Sequence, residues 1–145
     1  SPVWSPDGTG LYFVVVDDRA RHLARVPARG GAIERLITGR RVVRALTMSK
    51  DGRLAGLAAT GTQATEVHAL EGNTVRKLSK QNDEWLAGVE QGTLEEITAK
   101  SRDGTLVNGF ILKPPGYRPG VRYPTLLQIH GGPVAQYTNS FDISP

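Results

Sequence analysis

The sequence predicts a mainly β chain in two parts: two four-stranded units of the propeller-blade kind, then the first strands of an α/β domain. Three observations carry this. A Ser-x-Asp-Gly turn recurs at an offset of 44 residues, with Ser5, Asp7 and Gly8 returning as Ser49, Asp51 and Gly52, which falls in the period of about 40 to 45 residues of four-stranded blades. Behind each turn the same succession of apolar runs and turn residues follows. The period then breaks, because a third such turn, Ser101 to Gly104, lies 52 residues after Ser49 and leads into a Pro-Pro-Gly stop.

Each element has a local reason. In "WSPDGTGLYFVV" and "MSKDGRLAGLAA", Asp bonds its own backbone and Gly accepts a positive φ, so each copy joins two antiparallel strands. Leu11 to Val16 is an unbroken apolar run, as expected of a strand buried on both faces. A strand at His22 to Val26, a turn at Ala28 to Gly31 and a strand near Ile33 to Ile37 complete the first unit. The second runs through Leu54 to Ala59, Glu66 to Leu70, a turn at Glu71 to Asn73, and Thr74 to Leu78. Trp4 is expected to pack between blades, and His22 and His68 to be edge or surface residues of blade strands.

After Gln81 the composition shifts. "LEEITAKSRDGTLVNGFILKPPGY" reads as a hairpin, Leu94 to Lys100 against Thr105 to Leu112, ended by prolines that cannot continue a ladder. "YPTLLQIHGGP" then gives a short, nearly continuous apolar strand, the profile of a central strand covered on both sides. The boundaries follow: residues 1–82 are propeller blades, 83–92 a linker, and 93–145 the start of the second domain.

Composition narrows the function classes. The 145 residues carry no cysteine, which excludes disulfides, Cys-based zinc sites and a thiol nucleophile. No metal or cofactor motif is present. No run approaches the roughly 18 apolar residues of a membrane span, so the chain reads as soluble, with the cytoplasm favoured over the periplasm and the compartment otherwise open. The net charge of +4 is concentrated in Arg19, Arg21, Arg25, Arg29, Arg35, Arg40, Arg41 and Arg44. These alternate with apolar residues and lack interleaved aromatics for base stacking, which argues for solvent-facing arginines and against a nucleic-acid footprint.

Glycines directly after a buried strand let backbone approach a ligand and leave amide hydrogens unencumbered. In α/β-hydrolases one oxyanion-hole amide comes from the loop after the third strand, often in an HGGG-type sequence. "HGGP", residues 130 to 133, sits where that loop belongs, after a hairpin and an apolar third strand.

Taken together, the "WSPDG" turns, "ILKPPGY" and "YPTLLQIHGGPVAQY" resemble the junction between β-propeller and catalytic domain in the prolyl oligopeptidase family of serine peptidases, nearest the acylaminoacyl-peptidase and dipeptidyl-peptidase-like branches. The resemblance covers essentially the whole chain. It implies the last two blades of a β-propeller followed by the first strands of an α/β-hydrolase domain. It also implies an acyl-enzyme mechanism on short peptides, with no cofactor. The oxyanion amide would fall on Gly132 or Gly131, Gly132 being preferred, with His130 and Pro133 as structural supports of the loop. His130 is not expected to be the general base, since in this hydrolase order the catalytic histidine follows the serine and the acid. Glu95 and Glu96 lie past the propeller region that holds the substrate-binding glutamate pair of dipeptidyl peptidases, so they read as hairpin surface.

Of Ser1, Ser5, Ser49, Ser79, Ser101, Ser140 and Ser144, none lies in G-x-S-x-G. The strand therefore prepares half an oxyanion hole for a nucleophile outside this sequence, and the chain alone is expected to be inactive. The alternatives are an esterase on the same scaffold and a non-catalytic, propeller-type binding module. Exposed strand edges favour self-association of an isolated piece, and homo-oligomerisation of the intact protein stays open.

Overall fold

The computed structural model describes residues 2–132 and 134–141. The chain divides into two compact units, one holding residues up to Leu86 together with 138–141, the other Ala87–Tyr137.

The first unit consists of two four-stranded antiparallel meanders. β1 (Val3–Trp4), β2 (Gly10–Asp17), β3 (Ala20–Pro27) and β4 (Glu34–Ile37) form one; β5 (Val42–Met48), β6 (Leu54–Ala59), β7 (Glu66–Glu71) and β8 (Thr74–Lys77) form the other. A parallel bridge between Arg21 and Val42 joins them into a mixed sheet. The meanders share one core, in which Leu23 and Ile37 of the first pack with Val43, Leu54 and Leu70 of the second.

The Asp-Gly turns explain the repeat. The Ser5 hydroxyl donates to Asp7 at 2.6 Å and accepts from the Gly10 amide at 2.9 Å, while the Asp7 carboxylate accepts from the Thr9 amide at 3.0 Å. Gly8 and Gly52 take φ of 68° and 83°, where a side chain would be strained. The Ser5 hydroxyl, then the Thr9 amide and hydroxyl, hold the Asp7 carboxyl down at about 2.

β5 is the strand that leads into the second Asp-Gly turn, and its extent has no clear sequence signal. A bulge between Arg44 and Leu46, with Ala45 at φ 36°, breaks the alternation by which a strand is recognised. The bulge forces close approach at Gly56 on β6: a Cβ there would lie 3.0 Å from the Ala45 carbonyl oxygen and 3.1 Å from Leu70 Cδ1. Gly56→Ala is therefore expected to destabilise the first unit by about 1–3 kcal/mol, read as a lowered midpoint in urea unfolding.

Three expectations are corrected. Trp4 is 59% exposed, paired with Leu11 at the edge of the sheet. His22 is buried and its Nε2 lies 3.2 Å from the Gly39 carbonyl, because β4 and the loop after it close over β3. Residues 125–129 form no strand, and Leu126, Leu127 and Ile129 are 99%, 84% and 79% exposed. A strand takes its hydrogen bonds from neighbours, and among the described residues none pairs with this run.

In the second unit β9 (Thr93–Lys100) pairs with β10 (Leu106–Lys113) in unbroken register, with Leu94 opposite Leu112 and Lys100 opposite Leu106. The turn between them repeats the first one, the Thr105 amide donating to Asp103 at 3.0 Å and Gly104 taking φ 89°. The span read as a linker contains a short helix, α1 (Asp83–Ala87). No described helix is long and apolar enough to cross a membrane.

Candidate functional site

The hairpin delivers the chain to the glycine loop through a rigid corner. Lys113, at the end of β10, bonds Glu95 at 2.6 Å and lies 4.8 Å from the centre of the Tyr117 ring. The Tyr117 amide closes the Pro-Pro-Gly turn on the Pro114 carbonyl at 3.2 Å, its ring packs 5.3 Å from that of Tyr123, and the Tyr123 hydroxyl accepts from the Arg118 amide. Glu95 is thus engaged on the hairpin surface.

Beyond Tyr123 the chain runs to His130, Gly131 and Gly132, all exposed. His130 sits edge-on to Tyr137, ring centres 5.5 Å apart and planes at 74°, and its Nδ1 lies 3.3 Å from the Gly131 carbonyl. Gly132 adopts φ 77°, which alone demands glycine, since a Cβ there would meet only Ala135 at an ordinary 3.8 Å. Gly131 has open space and no positive φ. Among the described residues neither glycine amide has an acceptor, so two N–H donors stand free on consecutive residues. Pro133 lies outside the described residues, as do Ser1 and Ser144. No group of three or more His, Cys, Asp or Glu is arranged for a metal among the described residues.

Four of the clustered arginines are engaged within the first unit. Arg35 pairs with Asp17, Arg19 with Asp18 at 3.1 Å, Arg25 lies over the Tyr12 ring at 5.8 Å, and Arg44 bonds the Ser140 hydroxyl at 3.3 Å.

Two residues the sequence reading passed over prove structurally central. Glu66, 4% exposed, accepts from the Ser79 hydroxyl, the Gln81 amide at 3.2 Å, and the Asn82 amide and side chain at 2.7 and 3.0 Å. Burial raises its carboxyl, and the Ser79 hydroxyl with the Asn82 and Gln81 donors overcomes this, bringing it down to about 2. Asn139 is also buried, its amide donating to the Arg19 carbonyl at 2.7 Å, and the Phe141 amide donates to the Thr60 carbonyl at 2.6 Å. Residues 138–141 thereby strap both meanders. A polar residue outside any motif gives no sequence signal of this kind, because the partners are far along the chain.

No protein-family model matches the chain. A curated relative, the uncharacterized peptidase YuxL of Bacillus subtilis (strain 168), is 23% identical over 142 residues, 97% of this chain and 22% of the relative. Among solved structures, an acylaminoacyl peptidase in complex with Z-Gly-Gly-Phe-chloromethyl ketone superposes with a TM-score of 0.77 at 22% identity, over 92% of this chain and 21% of that one. The Pyrococcus horikoshii acylaminoacyl peptidase gives 0.76 at 21% identity, over 92% and 20%. The AtxE2 isopeptidase gives 0.65 at 22% identity, over 80% and 18%. The chain spans about a fifth of the length of these relatives. It has the fold of a segment of acylaminoacyl peptidases and is similar in sequence to a peptidase along almost its whole length.

Proposed function

We propose that this chain is the end of a β-propeller and the start of the α/β-hydrolase domain of a serine peptidase of the prolyl oligopeptidase type, acting on short peptides through an acyl-enzyme. The observation that carries the proposal is one fold match with an acylaminoacyl peptidase over 92% of the chain. The two meanders are then blades that restrict access by large substrates. Residues 83–92 are the linker, and the hydrolase domain begins at residue 93.

In this reading the Gly132 amide, aided by Gly131, donates to the oxyanion of the tetrahedral intermediate. Donors aimed in advance cost no reorganisation when charge develops, which makes such a loop useful for acyl transfer. His130 braces the loop through its contact with Tyr137 and the Gly131 carbonyl. The run at 125–129, which forms no strand among the described residues, takes a ladder only where the intact protein supplies neighbouring strands. The chain's own serines lie outside G-x-S-x-G, so the nucleophile, acid and base come from elsewhere.

The intact protein is expected to release the blocked first residue from short N-acylated peptides, read by mass spectrometry of the products. Cleavage of simple esters without any peptide hydrolysis selects the esterase; hydrolysis of neither overturns the proposal.

A further inference from the structure

Three Ser-x-Asp-Gly turns allow an internal comparison: the serine amide closes the second and third on Arg53 and Thr105, directly after the glycine, and the first on Gly10, one residue further. In each, the glycine amide donates to the serine carbonyl, at 2.9 Å for Gly8 and 3.0 Å for Gly52 and Gly104, and the glycine takes positive φ. In the first and third a threonine follows the glycine, and its amide donates to the aspartate: Thr9 to Asp7 and Thr105 to Asp103, both at 3.0 Å. The second turn has Arg53 in that place. Its amide goes to the Ser49 hydroxyl at 3.0 Å, and the Asp51 carboxylate keeps the Ser49 hydroxyl and an ion pair to Arg53 Nε at 3.0 Å, with side chains 60% and 87% exposed.

Asp-Gly sequences undergo one slow reaction of their own. The glycine amide nitrogen attacks the Cγ of the protonated aspartate carboxyl, a C–N bond closes a five-membered succinimide, the Cγ–OH bond breaks, and the hydroxyl leaves as water with the amide proton. Water then adds to either ring carbonyl and reopens it, giving aspartate or isoaspartate, with no other reactant consumed. Swinging Cγ onto the glycine nitrogen breaks the bond from the following amide at Asp7 and Asp103. At Asp51 the Arg53 amide is turned mainly to the Ser49 hydroxyl, so the move breaks a serine bond common to all three turns, a weak bond from the Arg53 amide, and an exposed ion pair, of the kind that holds a side chain weakly.

We propose that Asp51 is the chain's site of spontaneous isoaspartate formation, and that Arg53 in place of the threonine found in the other two turns is what exposes it. The extra backbone methylene would enter between β5 and β6, loosening the pairing of Met48 with Leu54. The inference is independent of the activity proposed above.

The test incubates the intact protein at physiological temperature and neutral pH and quantifies isoaspartyl peptides by methyltransferase labelling and mass spectrometry. Each extra hydrogen bond to break corresponds to about a fivefold difference in rate, and the threonine amide and hydroxyl both hold Asp7, so Asp51 is expected to exceed Asp7 and Asp103 by about fivefold or more. Arg53→Thr lowers Asp51 to their level, and Thr105→Arg raises Asp103. Equal yields at the three sites, a higher yield at Asp7 or Asp103, no isoaspartate at all, or an Arg53→Thr variant that leaves Asp51 unchanged overturns the inference.

Discussion

Glu66→Ala is expected to lower the hydrogen-exchange protection of the Gln81 and Asn82 amides about a hundredfold, corresponding to a loss of about 2–4 kcal/mol in local stability. The substitution removes the acceptor of four hydrogen bonds and leaves the Asn82 and Gln81 donors without it. Glu66→Gln keeps the shape but loses the charge, and should cost about half as much. The pH dependence has a definite sign. A carboxyl that rests near 4.5 when unfolded and about 2 when folded contributes stability that is fully present above 4.5 and disappears as pH falls through 2. The gap between wild type and Glu66→Gln should therefore narrow across that window. A gap that stays constant would show that the carboxylate's charge is irrelevant to how β7 holds residues 79–82.

The second large effect concerns Gly132. In the intact protein, Gly132→Ala is expected to lower kcat by about 10²–10³ with little change in KM, the range seen on losing one oxyanion donor. The cause is conformational: a φ of 77° costs an alanine about 1–2 kcal/mol, so the backbone turns and re-aims its amide. Gly131→Ala serves as the control, since that position has open space and no positive φ. It keeps its amide and should stay within about threefold of wild type, an estimate from the absence of strain. Equal losses at both positions would remove Gly132 from its assigned role.

Much of the first unit was legible because its signals are local. Asp-Gly turns and the runs Leu54 to Ala59 and Glu66 to Leu70 lie within a few residues of the strands they specify. The extent of β5 escaped because its bulge at Ala45 disrupts the period. Leu126 to Ile129 misled in the opposite way, since its apolar sequence asks for a strand but hydrogen-bonded neighbours decide whether one forms. The loop residues His130, Gly131 and Gly132 were nameable from the motif, whereas the left-handed backbone at Gly132 came only with coordinates. Glu66 and Asn139 had no sequence signature, because their partners Asn82 and Arg19 are distant in the chain and carry no motif.

The most direct measurement is labelling by a serine-directed phosphonate, made on the intact protein and on this 145-residue chain side by side. The account predicts one label per intact polypeptide, on a serine in G-x-S-x-G beyond Pro145, and none on the isolated chain. Stoichiometric labelling of the isolated chain, or an intact protein that takes no label at all, would contradict it.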